Sequence, residues 1–241
     1  MKLIFLEHYK RLSKLKLLKL FIFIPLLIYL GHRSLIAYDE GFYYLQAKWI
    51  LNNNNWITPV WWGEISLDRT IGIQALIALS QKIFGYSKFS IYIPNIIGSS
   101  LILFLTYKLH QEFYGKFNIV SPLILSTTYL WINYSHLATQ DIIYSSLIIL
   151  GIYSSIKGLK KRENKHIFFS GIWIGFAFMM KTYLTVVPVI ALIPIFVRGK
   201  FISKKFFWLG ITIGFIPFAF WSSRVIGIYG ISIYSGLFEK F

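Results

Sequence analysis

The sequence predicts an all-α polytopic membrane protein with about seven transmembrane helices, and three observations predict it. Hydrophobic residues make up 56% of the 241 residues, and charged residues only 14%. Several uncharged runs approach the roughly 20 residues that a helix needs to cross a bilayer. Lysines and arginines gather in short segments between these runs, as they do in cytoplasmic loops. The net charge of +16 therefore indicates a membrane topology, and we predict no nucleic-acid partner.

The basic N-terminus, residues 1–19, carries six cations and is predicted to stay in the cytoplasm. Residues 20–30, extendable to 36, are predicted to be an uncleaved first span, because no cleavage site of small residues follows them. The later predicted spans are residues 89–107, 117–137, 142–156, 167–180, 182–197 and 206–223. Spans four to six are short for a hydrocarbon core of about 30 Å, so their ends should either snorkel or line a wet cavity.

Residues 37–88 form the predicted first outer loop, with amphipathic juxtamembrane helices. Within it, residues 71–79 are too short to span and are predicted to be a re-entrant or interfacial helix. The loop holds four of the nine acidic residues, set among tryptophans and tyrosines: Asp39, Glu40, Glu64 and Asp68. Amphipathic rings prefer the membrane–water boundary, so this pattern is typical of a polar site there or of an aromatic surface loop.

A helix over residues 37–51 would have two distinct faces. One face would look into a cavity and the other would lie on lipid. The first face holds Asp39, Tyr43 and Gln46, and the second holds Phe42, Leu45 and Trp49.

The cations set the predicted orientation. With the N-terminus inside, 17 of the 25 lysines and arginines lie in predicted inner segments. Six of the nine acidic residues lie on the outer side, although acidic residues contribute little to topology. We therefore predict a single transmembrane domain over residues 1–241. It would be an integral protein of a bacterial inner membrane, with its functional site facing away from the cytoplasm.

Ionisable residues at the outer ends of spans are candidates for function, because a charge near hydrocarbon is costly. The candidates are Asp39 with Glu40, Asp68 with Arg69, His136 with Asp141, and Lys181. Each has a structural alternative. The acids Asp39, Glu40 and Asp141 could cap helices. Asp68 and Arg69 could be a solvated ion pair, and Lys181 could snorkel to the interface.

The same residues are suited to two kinds of chemistry. Asp39, Glu40, Asp141 or His136 could hold a divalent metal through oxygen-rich ligation. Alternatively, a carboxylate could take a proton from an attacking hydroxyl while fixed cations hold a phosphate leaving group. A lipid-borne sugar phosphate, with its tail in the bilayer, would suit the second kind.

The order of these residues resembles the glycosyltransferases that use polyprenyl-phosphate sugars. That family includes protein O-mannosyltransferases and the aminoarabinose transferases of lipid A, and has the GT-C fold. The resemblance covers about residues 38–198 and rests on eight pieces in the right order at the right spacing. They are Asp39-Glu40 with Tyr43 or Tyr44; Ala47; Asn55-Trp56-Ile57-Thr58-Pro59 with Gly63; Phe84-Gly85; Pro94; Phe113-Tyr114-Gly115; Thr139-Gln140-Asp141; and Met180-Lys181-Thr182.

The resemblance implies an outward-facing active site. Asp39 matches an acidic residue of the first outer loop that acts as base or positions the acceptor. Asp141 matches the acid of the second outer loop. Lys181 matches the lysine of a Thr-Lys-Gly motif associated with the donor phosphate, although Met180 and Thr182 replace its threonine and glycine.

Other departures from the family pattern concern the residues associated with donor binding and the length of the chain. Arg69 stands where the family has a lysine followed by two prolines, and here Thr70 and Ile71 replace those prolines. An arginine that usually precedes the later proline is absent, with Ile91-Tyr92-Ile93 in its place. Family members generally continue with several more spans and often a soluble outer domain. We therefore expect either a second chain that supplies missing spans or a descendant without activity.

These observations predict an inverting glycosyltransferase of the cell envelope, with a polyprenyl-phosphate sugar as donor and a hydroxyl acceptor on the non-cytoplasmic side. Asp39 would be the base, Arg69 and Lys181 would hold the phosphate, and Asp141 would support the site or bind a metal. The supporting residues would be Glu40, Tyr43, Asp68 and His136. One alternative is a non-catalytic lipid-phosphate-binding or assembly subunit of the same fold. Another is a small transporter, which would need polar residues deep in several spans.

Overall fold

A computed structural model describes residues 21–28, 32, 34–67, 69–115 and 118–231. The helices are α1 Glu40–Asn53, α2 Gly72–Phe84, α3 Lys88–Tyr114, α4 Val120–Thr127, α5 Tyr129–Ser135, α6 Gln140–Lys161, α7 Asn164–Lys181, α8 Val186–Arg198 and α9 Lys205–Tyr229. Short 3-10 turns lie at Ile24–Leu26 and Thr182–Thr185. An antiparallel hairpin pairs β1 Val60–Trp61 with β2 Glu64–Ile65.

Within the described residues, four helical stretches are long and apolar enough to cross a membrane: Lys88–Tyr114, Gln140–Lys161, Asn164–Arg198 and Lys205–Tyr229. They confirm the prediction of a helical integral membrane protein, whereas the predicted number of seven spans is not confirmed. The basic N-terminus, residues 1–19, lies outside the described residues, and the predicted first span is described only in part.

The predicted span at residues 117–137 is divided into two short helices, so a single helix that crosses the membrane there is not confirmed. The backbone of Thr128 is extended, with φ −72° and ψ 123°, so α4 ends and α5 begins there. The hydroxyls of Thr127 and Thr128 donate to the carbonyl oxygens of Leu123 and Ile124, at 3.0 and 2.8 Å. Threonine hydroxyls that bond back to the preceding turn weaken and bend a helix, which accounts for the break.

The apolar stretch Asn164–Arg198 contains a reversal of the chain. Phe196, near the end of α8, packs in one cluster with Ile167, near the start of α7, so the two helices are antiparallel. The reversal begins at Thr182, whose φ of +28° is unusual for a β-branched residue. This is the position where the resembled motif has glycine. The predicted boundary at Lys181 therefore coincides with a real turn.

The closest helix packing is between α7 and α9, where glycines allow the two backbones to touch. Gly171 and Gly175 on α7 face Gly210 and Gly214 on α9. A Cβ atom added to Gly171 would lie 2.5 Å from the carbonyl oxygen of Phe207. Pairs of small residues four apart are how membrane helices approach closely. The two Gly-x-x-x-Gly repeats are visible in the sequence.

The bundle has two chemically different ends. Helix α6 begins beside Asp141 and ends at Lys161, and α7 packs against it and returns to Lys181. Asp141 and Lys181 therefore lie at one end of the bundle. The turns at the other end, residues 157–165 and 198–205, carry the cations that the topology predicted to be cytoplasmic.

Replacing Gly214 with alanine should lower the melting temperature of the purified protein. The new Cβ would collide with the carbonyl group of Ile172, so the helices must separate at a cost of about 1–3 kcal/mol. Gly227→Ala, on the same helix, is the matched control. A Cβ there meets nothing within 4 Å, so its melting temperature should equal or slightly exceed that of the wild type. Equal melting temperatures for the two variants would contradict the close α7–α9 contact.

Candidate active site

Glu40 ties the start of α1 to the loop before α6. Its side chain is fully buried. One carboxylate oxygen accepts the backbone N–H of Ile36 at 2.9 Å, and the other accepts the N–H of Ala138 at 2.8 Å. Buried charges are tolerated when they are hydrogen-bonded in this way. Glu40 thus ties the start of α1 to Ala138, which lies 98 residues further along the sequence.

Asn95 holds the same loop from the other side. It lies fully buried on α3, and its amide donates to the carbonyl oxygens of Leu137 and Thr139. The Thr139 hydroxyl in turn donates to Asp141 at 3.0 Å. Asp141 is therefore oriented from within the fold. It follows the N-cap residue Thr139, so the helix-cap alternative does not describe it.

The first ion pair joins Asp39 to Arg69, with 3.4 Å between Oδ1 and Nη1. The Asp39 side chain is 56% exposed and that of Arg69 37% exposed. Arg69 also donates to the Tyr43 hydroxyl, and its guanidinium lies 5.3 and 5.6 Å from the ring centres of Tyr43 and Phe42. Asp39 occupies the N-cap position of α1, but its side chain makes no capping hydrogen bond. Asp68 lies outside the described residues.

The second ion pair joins Lys181, the last residue of α7, to Asp141, the second residue of α6. These two helix ends lie at the same end of the bundle. The Lys181 side chain is 20% exposed, and that of Asp141 is 35% exposed. The lysine nitrogen lies 5.7 Å from the ring centre of Tyr144, within the range of a cation–π contact. Lys181 therefore has a specific partner and does not simply reach for the lipid–water boundary.

Thr70 brings the two ion pairs together. Its hydroxyl lies 2.7 Å from the carbonyl oxygen of Met179 and 3.3 Å from that of Met180, immediately before Lys181. Two residues further on, a Cβ atom at Gly72 would collide with the Met179 carbonyl oxygen. The segment after Arg69 therefore lies directly against the end of α7. A proline at position 70, as in the resembled family, has no hydroxyl to make this contact.

Tyr43 contacts Arg69 of the first pair, and the Asp141 carboxylate of the second pair acts on it electrostatically. It is almost fully buried, and burial raises the pKa of its hydroxyl to about 12, opposed by the charge and hydrogen bond of Arg69. The carboxylates of Asp39 and Asp141 both raise this pKa further, so both act on one hydroxyl group. The Tyr43 oxygen accepts from Arg69, and its own proton can be donated to a ligand.

Residues 37–88, the predicted first outer loop, are held by contacts with α9 and by their own aromatic side chains. The indole N–H of Trp221 donates to the carbonyl oxygen of Ile57 at 2.8 Å, and Tyr229 hydrogen-bonds to Thr58 at 3.0 Å. Phe42 is 7% exposed and packs edge-on against Trp61, so its predicted position on lipid is wrong. Its ring instead forms part of the core beneath Arg69.

His136 belongs to neither ion pair. Its ring nitrogens lie 2.7 Å from the carbonyl oxygen of Ile132 and 3.0 Å from that of Ile28. Across the residues that the structure describes, no three histidine, aspartate or glutamate side chains gather as a metal site would require. The carboxylates of Asp39, Asp141 and Glu40 instead contact Arg69, Lys181 and two backbone amides.

Several residues that build this site were missed by the sequence analysis: Thr70, Gly72, Asn95, Trp221 and Tyr229. The resemblance did mark their neighbourhoods, because Pro94 precedes Asn95 and the substituted prolines fall at Thr70 and Ile71. Their partners, however, lie 42 or more residues away in the sequence. Contacts over such separations carry no local periodicity that a single sequence reveals.

Comparison with known proteins agrees with the resemblance. The family described as dolichyl-phosphate-mannose-protein mannosyltransferase matches residues 68–223. An uncharacterized protein of Aquifex aeolicus (strain VF5) is 29% identical over 140 residues, which are 56% of this chain and 28% of that protein. The undecaprenyl phosphate-alpha-4-amino-4-deoxy-L-arabinose arabinosyl transferase of Pseudomonas savastanoi pv. phaseolicola (strain 1448A / Race 6) is 25% identical over 174 residues. These are 70% of this chain and 33% of that protein.

Two crystal structures of ArnT from Cupriavidus metallidurans share the fold. With the form bound to undecaprenyl phosphate the TM-score is 0.71 at 12% identity, and with the apo form it is 0.72 at 13% identity. Each match covers 92% of this chain and 42% or 43% of ArnT. The chain thus spans about a third of the length of the curated relatives it matches.

Removing the Thr70 hydroxyl should destabilise the protein. Thr70→Val keeps the shape of the side chain but takes away the hydrogen-bond donor that the Met179 and Met180 carbonyl oxygens share, at a cost of about 1–3 kcal/mol. The free energy of unfolding in denaturant measures this cost. Thr70→Ser keeps the hydroxyl and is the matched control. A valine variant as stable as the serine variant would show that this contact does not hold the site together.

The Tyr43 hydroxyl should lose its proton at a higher pH than that of an ordinary tyrosine. Because its pKa is raised from 10.0 to about 12, the neutral form is favoured in the folded state. The stability it contributes is present below pH 10 and is lost as the pH rises toward 12. The ultraviolet tyrosinate signal of the folded wild type minus that of Tyr43→Phe should show one tyrosine ionising near pH 12. A difference centred near pH 10 would contradict the buried, carboxylate-flanked position.

Proposed function

The chain belongs to the dolichyl-phosphate-mannose-protein mannosyltransferase family, and from this we propose that it is a membrane glycosyltransferase. It would move a sugar from a polyprenyl-phosphate donor to a hydroxyl acceptor. The observation that carries the proposal is the presence of two carboxylate–cation pairs, Asp39–Arg69 and Asp141–Lys181, whose segments are joined by the hydrogen bond from Thr70 to the Met179 carbonyl oxygen. This arrangement lies at one end of a helical membrane bundle, where a lipid-borne donor would present its phosphate.

Arg69 and Lys181 are the proposed phosphate-binding residues. Both are partly exposed at the same end of the bundle, and each is oriented by a carboxylate. Hydrogen bonds from arginine and lysine to phosphate are charge-assisted and about twice as strong as neutral ones. Two such cations would stabilise the negative charge that develops on the phosphate as the sugar departs. Tyr43 is buried and would act through Arg69, whose guanidinium its hydroxyl helps to orient.

Asp39 is the proposed base, and its neighbour Glu40 is not. Glu40 is fully buried and accepts two backbone N–H groups, so no acceptor can reach it without breaking the fold. Asp39 is more than half exposed and faces the same guanidinium that would hold the phosphate. A base must lie within hydrogen-bond reach of the proton that it removes, and only Asp39 of the two offers that access.

The proposed reaction is a single displacement. The acceptor oxygen attacks the anomeric carbon and forms the new C–O bond while its proton passes to Asp39. The bond between the anomeric carbon and the phosphate oxygen breaks, and its electron pair leaves with the phosphate toward Arg69 and Lys181. Attack from the face opposite the phosphate inverts the anomeric configuration. Asp141 would hold Lys181 in position through their ion pair.

The proposed location is a bacterial inner membrane, with the site on the non-cytoplasmic side. The turns at the other end of the bundle carry Lys160, Arg162, Arg198 and Lys200, and short basic loops stay in the cytoplasm. The site end would then face outward. The sidedness can be read by accessibility labelling of single cysteines at exposed positions, since the natural chain contains no cysteine.

The rival proposal is a lipid-phosphate-binding or assembly subunit without catalysis. It rests on the same cations but needs no base. If activity needs a second chain that supplies missing spans, the purified chain alone would bind lipid without transfer. Transfer should therefore be assayed with the purified chain and with membranes in which it was expressed. Binding of undecaprenyl phosphate without transfer in either setting would favour the rival.

Variants of the site should separate binding from transfer. Lys181→Met and Arg69→Met should weaken binding of undecaprenyl phosphate by about tenfold or more, since each removes a charge-assisted contact. Asp39→Asn should bind this lipid normally and lose about 10²–10⁴-fold in sugar transfer from an undecaprenyl-phosphate-linked donor to an envelope lipid extract.

Two exposed residues outside the site serve as matched controls. Lys88→Met removes a cation, and Glu64→Gln removes a carboxylate. Both should leave binding and transfer at wild-type levels. Full turnover by Asp39→Asn would remove the proposed base, and unchanged lipid binding by Lys181→Met and Arg69→Met would remove the proposed phosphate site.

A further inference from the structure

A charged cavity lies at the end of the bundle opposite the candidate active site. Its volume is about 720 Å³, and it opens between the α6–α7 turn and the α8–α9 turn. Five of its seven lining residues are cationic: Lys160, Arg162, Arg198, Lys200 and Lys204. The function proposed above uses none of them.

Among the residues that the structure describes, much of this charge is unbalanced. Lys160 pairs with Glu112 at 3.7 Å, and Lys204 contacts the Asn164 amide oxygen at 3.5 Å. The nearby Glu163 is engaged by Lys165 and His166. In the described part of the chain, the recorded ion pairs bring no carboxylate to Arg162, Arg198 or Lys200. Like charges lining one cavity repel each other, so an anion bound between them would lower the energy.

The backbone at both turns adds to the case for a ligand. Arg162 has φ +57° and Lys200 has φ +53°, in the left-handed region that glycine or asparagine adopts more readily. Each turn therefore places a long cation where a smaller residue would fit the backbone at less cost. Both cations line the cavity. The two turns also present the starts of α7 and α9, whose N–H groups favour negative charge.

The surroundings of the cavity favour a lipid over a soluble anion. Apolar and aromatic side chains next to it in the sequence are exposed on the outside of the bundle: Val197, Ile202, Phe206 and Trp208. The Trp208 indole donates to the Ile202 carbonyl oxygen at 2.7 Å, which keeps the aromatic ring beside the turn. Aromatic residues of this kind mark the membrane–water boundary. Basic pockets between membrane helices at that depth suit phospholipid head groups.

We propose that this basic cavity binds the phosphate of an anionic phospholipid head group, with Arg162, Arg198 and Lys200 as its principal ligands. The bound phosphate would bridge the α6–α7 and α8–α9 turns and hold the ends of four helices together. The acyl chains would lie against the exposed apolar side chains that flank the turns. The proposal does not depend on the transferase function, because the two sites are at opposite ends of the bundle.

The experiment measures lipid-induced stabilisation of the full chain in detergent with phosphatidylglycerol, phosphatidylcholine, or inorganic phosphate. Phosphatidylglycerol should raise the melting temperature, and the two other additions should not at equal concentration. The triple variant Arg162→Gln/Arg198→Gln/Lys200→Gln should bind phosphatidylglycerol about a hundredfold more weakly, at roughly fivefold for each cation. The control is the triple variant Lys48→Gln/Lys82→Gln/Lys88→Gln, which removes the same charge from the other end of the bundle. It should bind phosphatidylglycerol as the wild type does.

A second variant guards against a triple variant that fails to fold. Arg162→Gly/Lys200→Gly removes two of the cations and puts glycine where the backbone has positive φ, so its fold should be retained. Its affinity for phosphatidylglycerol should fall by roughly 25-fold. Equal weakening of the cavity and control triple variants would overturn the proposal, as would stabilisation by inorganic phosphate equal to that by phosphatidylglycerol. Wild-type affinity in the glycine variant would overturn it too.

Discussion

The contact between Thr70 and the end of α7 is the constraint on which the candidate site depends. It joins residues 109 and 110 positions apart, and Gly72 beside it leaves no room for a side chain. Without this contact, Arg69 would belong to a loop and Lys181 to a helix end, with no fixed relation between them. Since neither cation is held by its own segment alone, the electrostatics of the site is a property of the packing.

A second layer of hydrogen bonds fixes the carboxylates. Glu40 and Asn95 use buried side chains to hold the loop at residues 137–139, which orients Asp141 at the start of α6. Buried polar groups are costly unless they are paired, so removing one partner from any of these contacts should lower the stability of the fold. The adjacent residues Glu40 and Asp39 therefore have different roles. Glu40 holds the backbone, whereas Asp39 stays exposed to solvent.

The departures from the family pattern have physical counterparts in the structure. Thr70 supplies a hydroxyl where the family has proline, and the hydroxyl replaces a rigid backbone with a specific tie to α7. Thr182 stands at a glycine position and adopts positive φ, so the turn after Lys181 is retained despite the cost to a β-branched residue. The glycine faces let α7 and α9 pack closely. Met180, next to Lys181 on α7, and Trp221 on α9 then belong to the same core cluster.

Much of the architecture was readable in the amino-acid sequence, because composition and charge distribution are local properties. The membrane class, short helices over residues 37–51 and 71–79, and a boundary at Lys181 were predicted from apolar runs and the residues that interrupt them. The structure has the two helices at Glu40–Asn53 and Gly72–Phe84. The break at Thr128 was missed, because it depends on which carbonyl oxygens two hydroxyl groups select.

The sequence by itself determined the inventory of the site: which carboxylates and cations exist, and that they lie near the ends of apolar segments. Only the tertiary structure decided the pairing, with Asp39 and Tyr43 on Arg69 and Asp141 on Lys181. It also decided that Glu40 is a structural clamp and that His136 binds backbone carbonyl groups elsewhere. The reason is that each pairing spans 30 or more residues, and chain segments so far apart meet only through packing.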